Sequence, residues 1–125
     1  NLLKSAVLFL ELDNKLFVHG GIDPALEIAK QDPEFLLWDR DLLNDAIRVN
    51  KRNPDHHYGK WDDIFVGHTT TEVYKTLKPI HACNVWAIDT GSGWSGKLTI
   101  MDIDSYEYWQ SDLVPDLYPH IPGRG

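Results

Sequence analysis

Short apolar runs separated by turn residues make up the beginning of the chain. Residues 5–12 are rich in strand-forming side chains, and Asp13-Asn14-Lys15 supplies turn residues before the apolar run 16–18. This pattern predicts a β-hairpin whose second strand ends at His19. Two glycines follow that histidine and allow the backbone a sharp turn and a close approach to a neighbouring group.

A helical pattern follows. The sequence Asp32-Pro33-Glu34 combines an N-cap residue, a first-turn proline and a first-turn acid, and apolar residues then recur at helical spacings up to Ile47. Apolar side chains lie on both faces around Trp38-Asp39-Arg40, which predicts a break there. Residues 50–60 have no period and contain several helix breakers, so they predict an exposed loop.

The second half of the chain predicts further short strands. Residues 64–66 form an apolar run that ends at Gly67-His68, and residues 69–72 resemble a capping box for a small helix. Residues 84–88 predict a buried strand, and residues 89–96 a glycine-rich turn.

The last predicted element is a hairpin over residues 97–110. Residues 97–103 alternate between two faces, and a turn at Asp104-Ser105 allows them to pair with residues 106–110. Residues 114–125, rich in proline and glycine, are expected to trail over the surface. The aromatic residues of this half are predicted to pack in the core and across strands: Trp86, Trp94, Tyr106, Tyr108 and Trp109.

Composition narrows the class of protein. With 125 residues, 42% of them hydrophobic, the chain is expected to form one α/β unit over residues 1–125. The net charge of −7 disfavours nucleic acid as a partner, although bound divalent metals would still permit phosphate binding. The single cysteine, Cys83, is expected to be buried and structural. No apolar run approaches the length of a membrane span, so no membrane partner and a cytoplasmic location are expected.

Two histidines and one arginine are the candidate chemical groups. His19 and His68 each follow a predicted strand, where α/β proteins usually assemble their sites. The alternative for each is a loop histidine with a single hydrogen bond. For Arg40, the alternative to an anion-binding role is a surface side chain paired with Asp39 or Asp41. The remaining histidines are assigned no role: His56, His57, His81 and His120.

Four ordered segments resemble later motifs of the calcineurin-like metallophosphoesterases, especially the bacterial and phage serine/threonine protein phosphatases. They are Val-His-Gly-Gly-Ile-Asp-Pro at 18–24, Leu-Leu-Trp-Asp-Arg at 36–40, Phe-Val-Gly-His-Thr at 65–69 and Ile-Asp-Thr-Gly at 88–91. Residues 91–100 resemble the closing hairpin of that family. The resemblance extends over residues 6–104.

The resemblance implies a fold, a site and a chemistry. The fold would be the C-terminal half of a mixed β-sheet sandwich with flanking helices. His19 and His68 would be ligands of the second metal of a binuclear centre, and Arg40 would bind phosphate. Asp89 would line the site as a secondary candidate, and a turn-forming aspartate that bonds neighbouring amides is the simpler alternative for it. Two divalent ions are implied in the intact protein, manganese first and iron or zinc as alternatives. The substrate would be a phosphorylated protein or a small phosphate ester.

The earlier motifs of that family do not occur in this sequence. They have the forms Gly-Asp-x-His-Gly, Gly-Asp-x-x-Asp-Arg-Gly and Gly-Asn-His-Glu, and they carry the first-metal ligands and the general acid. We therefore expect the chain to be a C-terminal portion whose partner is the missing N-terminal half, and to be inactive alone. Thr70 also stands where the family usually has a proline.

Two other functions remain open. A dinucleoside-polyphosphate hydrolase of the same superfamily would use the same residues on a different substrate. A noncatalytic binding or scaffold domain would retain the fold without turnover.

Overall fold

The computed structural model describes residues 9–91 and 96–113. These residues divide into two compact units, one formed by residues 9–69 and 81–87 and the other by residues 70–80, 88–91 and 96–113. The start of the predicted first strand, Trp94 in the predicted turn, His120 and the predicted tail lie outside the described residues. The expectation of a single domain over residues 1–125 stays a prediction.

A five-stranded mixed sheet forms the centre of the first unit. The strand order is β1-β2-β3-β5-β4; β1 pairs antiparallel with β2, whereas β3 lies parallel to both β2 and β5. The sheet and its helices make this an α/β protein, which confirms the α/β class predicted from the sequence. The strands are β1 (Phe9–Leu12), β2 (Lys15–Val18), β3 (Asp63–Val66), β4 (Ile80–Ala82) and β5 (Val85–Ala87).

The predicted N-terminal hairpin is confirmed. Its two turn residues, Asp13 and Asn14, have φ of 52° and 60°, the left-handed conformations that a two-residue type I′ turn requires. Aspartate and asparagine tolerate this region better than most residues do. The turn also accepts a hydrogen bond at Asn14 O from Asp62 N at 2.8 Å, which connects it to the entry of β3.

The predicted helical segment is divided into two helices, and the division lies at the predicted break. Helix α1 spans Pro33–Trp38 and α2 spans Asp41–Asn50. Asp32 caps α1 by accepting from Glu34 N at 2.9 Å, as the cap pattern predicts. Helix α2 buries one face, formed by Leu42, Leu43 and Ala46. Within the described residues, no helix is long and apolar enough to cross a bilayer.

The two faces of the sheet differ in chemistry. One face is purely aliphatic and buried, and its side chains alternate along each strand with those of the other face. The other face carries a row of stacked rings, in which Phe65 lies 5.0 Å from Phe17 and 6.3 Å from Trp86 between centroids. The aliphatic face is formed by Leu16, Val18, Ile64, Val66, Val85 and Ala87.

A buried ion pair lies on the ring-bearing face at the first residues of β2 and β3. Lys15 Nζ is 2.8 Å from Asp63 Oδ2, with side-chain exposures of 9% and 7%. The two residues are partners in the parallel register, and Asp63 Oδ1 also accepts from Trp86 Nε1 at 3.1 Å. Because a buried charge is costly without its partner, this pair is sensitive to any change in strand register.

Residues 51–60 form a loop that is anchored rather than wholly exposed, which corrects the sequence prediction. Tyr58 is only 5% exposed, and its backbone exchanges two hydrogen bonds with the Asn84 side chain, at 2.8 and 2.9 Å. Asn84 Nδ2 also donates to Trp61 O at 3.1 Å. The loop pattern gave no sign of this because the anchoring residue lies 26 positions away along the chain.

Strand β4 was not predicted. It is joined to β5 by a turn at Cys83-Asn84, and Cys83 has φ of 54°. The predicted burial of Cys83 is confirmed, since its exposure is 8%, and burial raises the pKa of its thiol. Strand β5 also ends at Ala87, one residue before the predicted end.

The second unit contains a short helical turn and a hairpin. Thr70 caps a 3-10 turn at Thr71–Tyr74 by accepting from Glu72 N at 3.3 Å, so the capping prediction holds one residue later than the pattern suggested. Strands β6 (Thr99–Met101) and β7 (Tyr108–Gln110) pair antiparallel, as predicted.

The exposed aromatic residues of this hairpin correct the aromatic-packing prediction. Trp109 and its cross-strand partner Ile100 are 58% and 63% exposed, so they form an exposed pair and not a core. Tyr108 precedes Trp109 in β7 and points to the opposite face, where it is 39% exposed. Alternation within a two-stranded hairpin leaves one face without a covering layer of its own.

Candidate functional site

His19 and His68 reach the same edge of the sheet because their strands are parallel. Val18 and Val66 are register partners at the ends of β2 and β3. Beyond them Gly67 N donates to His19 O at 2.9 Å, which continues the pairing by one step. The two imidazoles are therefore neighbours, although register partners on β2 and β3 are 48 positions apart along the chain.

The two rings lie close enough together to contact one ion. Their centroids are 5.2 Å apart and their planes are inclined by 53°. A ligating ring nitrogen lies about 2 Å from the metal, which places the ring centroid about 3 Å from it. Two such rings at a tetrahedral angle have centroids about 5 Å apart. The donor type and the spacing thus fit one divalent ion, and imidazole suits manganese, iron or zinc.

Arg40 lies at the same edge. Its Nε donates to His68 Nε2 at 3.4 Å, so this ring nitrogen faces the guanidinium. Its side chain is exposed, and it forms no ion pair with Asp39 or Asp41, the alternative weighed from the sequence. An exposed guanidinium beside two imidazoles can bind an anion there.

Gly20 brings the end of α1 close to His19. Its amide donates to Leu36 O at 2.7 Å. A Cβ at this position would lie 2.8 Å from both Asp39 N and Leu37 C, distances that real Cβ atoms essentially never show. Only glycine allows the α1–α2 junction to pack directly on the strand end, and this packing places Arg40 beside His68.

Asp39 holds the junction between the two helices. Its carboxylate accepts from Asp41 N and Leu42 N, both at 3.1 Å, and so caps α2. The residue is 8% exposed, and burial raises the pKa of this carboxyl against the opposing effect of those two bonds. Sequence reasoning weighed Asp39 only as a partner of Arg40. Its position just before a helix was the signal for this capping role.

His68 and the residue after it have unusual local environments. His68 has φ of 60°, in the left-handed region that non-glycine residues adopt rarely and that is enriched at functional sites. Thr69 is 6% exposed, and its Oγ1 is buried without a hydrogen-bond partner. A buried hydroxyl in this state can accept or donate to a bound molecule.

Trp38 is a further residue at this edge that sequence reasoning did not single out. It is 63% exposed, and its ring meets His68 edge-on, with centroids 5.2 Å apart and an interplanar angle of 82°. The exposure of so large an apolar side chain beside two imidazoles provides a surface on which another ring could stack.

Asp89, the fourth candidate, belongs to the second unit. Its carboxylate accepts from Gly91 N at 3.0 Å, and its carbonyl accepts from Thr71 N at 2.8 Å. These bonds are typical of a turn-forming aspartate, the simpler interpretation of this residue. Its role in lining a site stays a prediction.

Three of the histidines to which no role was assigned lie among the described residues, in other surroundings. His81 stacks on Trp86 at 4.0 Å between centroids, and burial lowers the pKa of its imidazole. His56 meets the Tyr58 ring edge-on, and His57 contacts the Asn84 side chain. In the described part of the chain, no cluster of three or more histidine, cysteine or acidic residues is placed to hold a metal.

The fold and this edge define an α/β protein with paired imidazoles and a guanidinium at the ends of parallel strands. Comparison with models of protein families and with curated proteins finds no match to the chain.

Proposed function

We propose that this chain forms part of a metal-dependent phosphoester hydrolase that resembles the serine/threonine protein phosphatases of the calcineurin-like superfamily. His19 and His68 are ligands of one ion of a binuclear centre, and Arg40 binds the phosphoryl group. Manganese is the ion proposed first, with iron or zinc as alternatives. The substrate is a phosphorylated protein or a small phosphate ester, and a cytoplasmic location belongs to the same proposal.

One observation carries the proposal. Three side chains from separate parts of the sequence converge, with imidazole centroids 5.2 Å apart and Arg40 Nε 3.4 Å from His68 Nε2. Two imidazoles beside a guanidinium offer nitrogen ligands and an anion-binding group, and ligation through His68 Nε2 requires Arg40 to turn from this nitrogen to the phosphoryl group.

Each residue has a separate part in the proposed chemistry. A bound divalent ion supplies polarisation of phosphoryl oxygens and a water of lowered pKa. The planar fork of Arg40 can donate two parallel hydrogen bonds to phosphoryl oxygens and stabilise charge that develops on them. Asp39 and Gly20 position Arg40 by fixing the junction between α1 and α2.

The proposal assigns only part of a binuclear centre to this chain. Motifs for the first metal do not occur in its 125 residues, so the remaining ligands come from the N-terminal half that the resemblance implies. Two imidazoles leave most coordination positions of an ion to water or other donors. The chain alone should bind metal weakly and have negligible turnover.

Binding of Mn²⁺ to the full chain tests the ligand assignment. Paramagnetic broadening of ring signals in NMR spectra should affect His19 and His68 at metal concentrations that leave His56 sharp. His19→Ala and His68→Ala should each weaken binding by about tenfold or more, because each removes a direct ligand. His56→Ala is the matched control. Equal broadening of all three histidines would contradict the shared site.

A longer protein that includes the implied N-terminal half tests the catalytic assignment. Arg40→Ala should lower kcat/KM for p-nitrophenyl phosphate by about 10²-fold with metal content unchanged, because it removes transition-state stabilisation. His68→Ala should lose both metal and activity. If metal binds at His19 and His68 while no phosphate ester is hydrolysed, the noncatalytic scaffold is the better description.

Trp38 favours the second candidate, a dinucleoside-polyphosphate hydrolase. Its exposed ring beside His68 is placed to stack on a nucleobase. In that case Trp38→Leu should lower kcat/KM for diadenosine tetraphosphate by about tenfold and leave a phosphoserine peptide unaffected, since stacking contributes about 1–3 kcal/mol. Equal effects on both substrates would favour the protein phosphatase.

A further inference from the structure

The contact between Arg40 and His68 joins the two binding functions of the proposed site. The Nε of Arg40 donates to His68 Nε2 at 3.4 Å, and the arginine side chain is exposed. Within residues 9–91 and 96–113, no carboxylate forms an ion pair with this guanidinium. The group proposed to bind phosphate therefore lies against a ring proposed to bind metal.

A neutral imidazole can serve only one of these two partners at a time. It has one nitrogen with a free lone pair and one nitrogen that carries a proton. If Nε2 accepts the bond from Arg40, the lone pair is used there and the proton is on Nδ1. Ligation through Nε2 would need that same lone pair, and ligation through Nδ1 would leave the proton on Nε2. Ligation by His68 through either nitrogen is therefore incompatible with the Arg40 contact.

The surroundings of the two side chains allow Arg40 to move while the ring stays in place. The Arg40 carbonyl accepts from Asn44 N at 3.1 Å, which fixes the backbone of this residue at the start of α2. The indole of Trp38 meets the His68 ring edge-on, with centroids 5.2 Å apart, so the imidazole is packed on one side. Exposed side chains change rotamer within nanoseconds, so Arg40 can leave the ring without any change of fold.

From these features we infer that Arg40 couples metal binding to anion binding at this edge of the sheet. Arg40 leaves His68 when this ring ligates an ion, and its guanidinium then binds a phosphoryl group. When the guanidinium binds a phosphoryl group first, the ring is released for ligation. Each partner therefore strengthens the binding of the other by the same factor. The inference rests on the proposed function for both assignments and adds the coupling between them.

A Zn²⁺ titration of the full chain tests the release of Arg40, since Zn²⁺ is the diamagnetic choice among the proposed ions. Carbon-detected ¹³Cζ–¹⁵Nε spectra report the guanidinium, with Arg40→Lys used to assign its signal. This signal should move in a saturable way, with the same midpoint as the ring signals of His19 and His68. In His19→Ala the midpoint should be about tenfold higher or more, because one ligand is lost. The Arg48 guanidinium, which pairs with Asp45, is the internal control.

Titration with inorganic phosphate, without metal, tests the reverse direction. His68→Gly removes the competing acceptor and supplies a residue that adopts positive φ without strain. At about pH 7.5, where an ordinary imidazole is mostly neutral, this change leaves the net charge nearly the same. Phosphate should bind to Arg40 about two- to fivefold more tightly in this variant, because no hydrogen bond to the ring has to be broken. His56→Ala removes a histidine that contacts Tyr58 and should leave the affinity unchanged.

Three outcomes would overturn the coupling. The first is an Arg40 signal that does not move while the rings of His19 and His68 show the bound ion, and in that case the ligand assignment stands. The second is phosphate binding that is no tighter in His68→Gly than in the unaltered chain. The third is the lack of any response of the two rings to Zn²⁺, which contradicts the ligand assignment of the proposed function as well.

Discussion

His68 places its ring through a backbone conformation that costs free energy in most residues. Its φ of 60° lies in the left-handed region, which costs a non-glycine residue about 1–2 kcal/mol. This backbone conformation turns the chain directly after β3. The His68 ring itself contacts Arg40 and Trp38. The proposed ligand role and the local strain therefore reside in one residue.

Glycine at position 68 should separate these two effects. We expect His68→Gly to unfold at higher urea concentration than His68→Ala, with a difference of about 1 kcal/mol, because glycine adopts positive φ without strain. Both variants lose the imidazole. His56, which is outside the left-handed region, is the control, and there the alanine variant should be the more stable one. The same order at both positions would refute the strain argument.

Asp45 should link stability to acidic pH. The Tyr58 hydroxyl, at 2.6 Å, and then Arg48 hold the pKa of this carboxyl below its ordinary value of 3.8. Because the folded-state pKa is lower than the unfolded one, the contribution is present above about pH 4 and is lost as the pH falls further. Tyr58→Phe should raise the pKa of Asp45 in a ¹³C NMR titration and flatten the loss of stability in acid.

Tyr108→Phe is the matched control for that titration because it also removes a tyrosine hydroxyl, but one that does not act on Asp45. An unchanged pKa of Asp45 in Tyr58→Phe would show that Arg48 alone accounts for the shift.

At the scale of elements, the junction between α1 and α2 connects the two helices to the end of β2. Asp39→Ala should lower the free energy of unfolding by about 1–2 kcal/mol, because it leaves two amides at the start of α2 without an acceptor. Chemical denaturation measures this loss. Asp41→Ala removes an exposed acid from the same turn and should cost less. An equal loss in both variants would mean that general helix-end electrostatics, and not the cap, stabilises the junction.

Much of this element structure follows from local sequence patterns. The hairpin turn at Asp13-Asn14 and the Asp32 cap use short-range chemistry that a single window of sequence contains. The break at residues 39–40 was visible as apolar residues on both helix faces. Strand β4 was missed because it has three residues and its turn, at Cys83-Asn84, contains neither glycine nor proline.

The candidate site was predictable only through ordered motifs. The positions of His19 and His68 at strand ends predict only two separate loop histidines, because no local sequence pattern shows that β2 and β3 are parallel neighbours. Trp38 was missed because its exposure depends on tertiary packing. Asn84 anchors the 51–60 loop through a long-range contact that no local stretch of sequence contains. The exposure of Trp109 likewise depends on whether a distant part of the chain covers it, and local sequence does not show this.

At the scale of the whole molecule, the Lys15–Asp63 pair should make the sheet sensitive to the loss of either charge alone. Lys15→Met should cost about 3–5 kcal/mol, because it leaves the Asp63 charge buried with its ion-pair partner removed. Lys15→Met with Asp63→Leu should recover much of that loss. Urea denaturation of the two single variants and the double variant gives the coupling energy, and additive losses would exclude a strong interaction.

The same pair has a consequence at the opposite end of its two strands. A shift of β2 against β3 by one residue would separate the two charges and would also move His19 away from Gly67, since both contacts belong to one parallel register. Residues that do not contact the proposed ion thus determine whether His19 and His68 can reach it together. Exchange of the charges, by Lys15→Asp with Asp63→Lys, keeps opposite charges at the same register partners, so metal affinity should be lowered less than in either single variant.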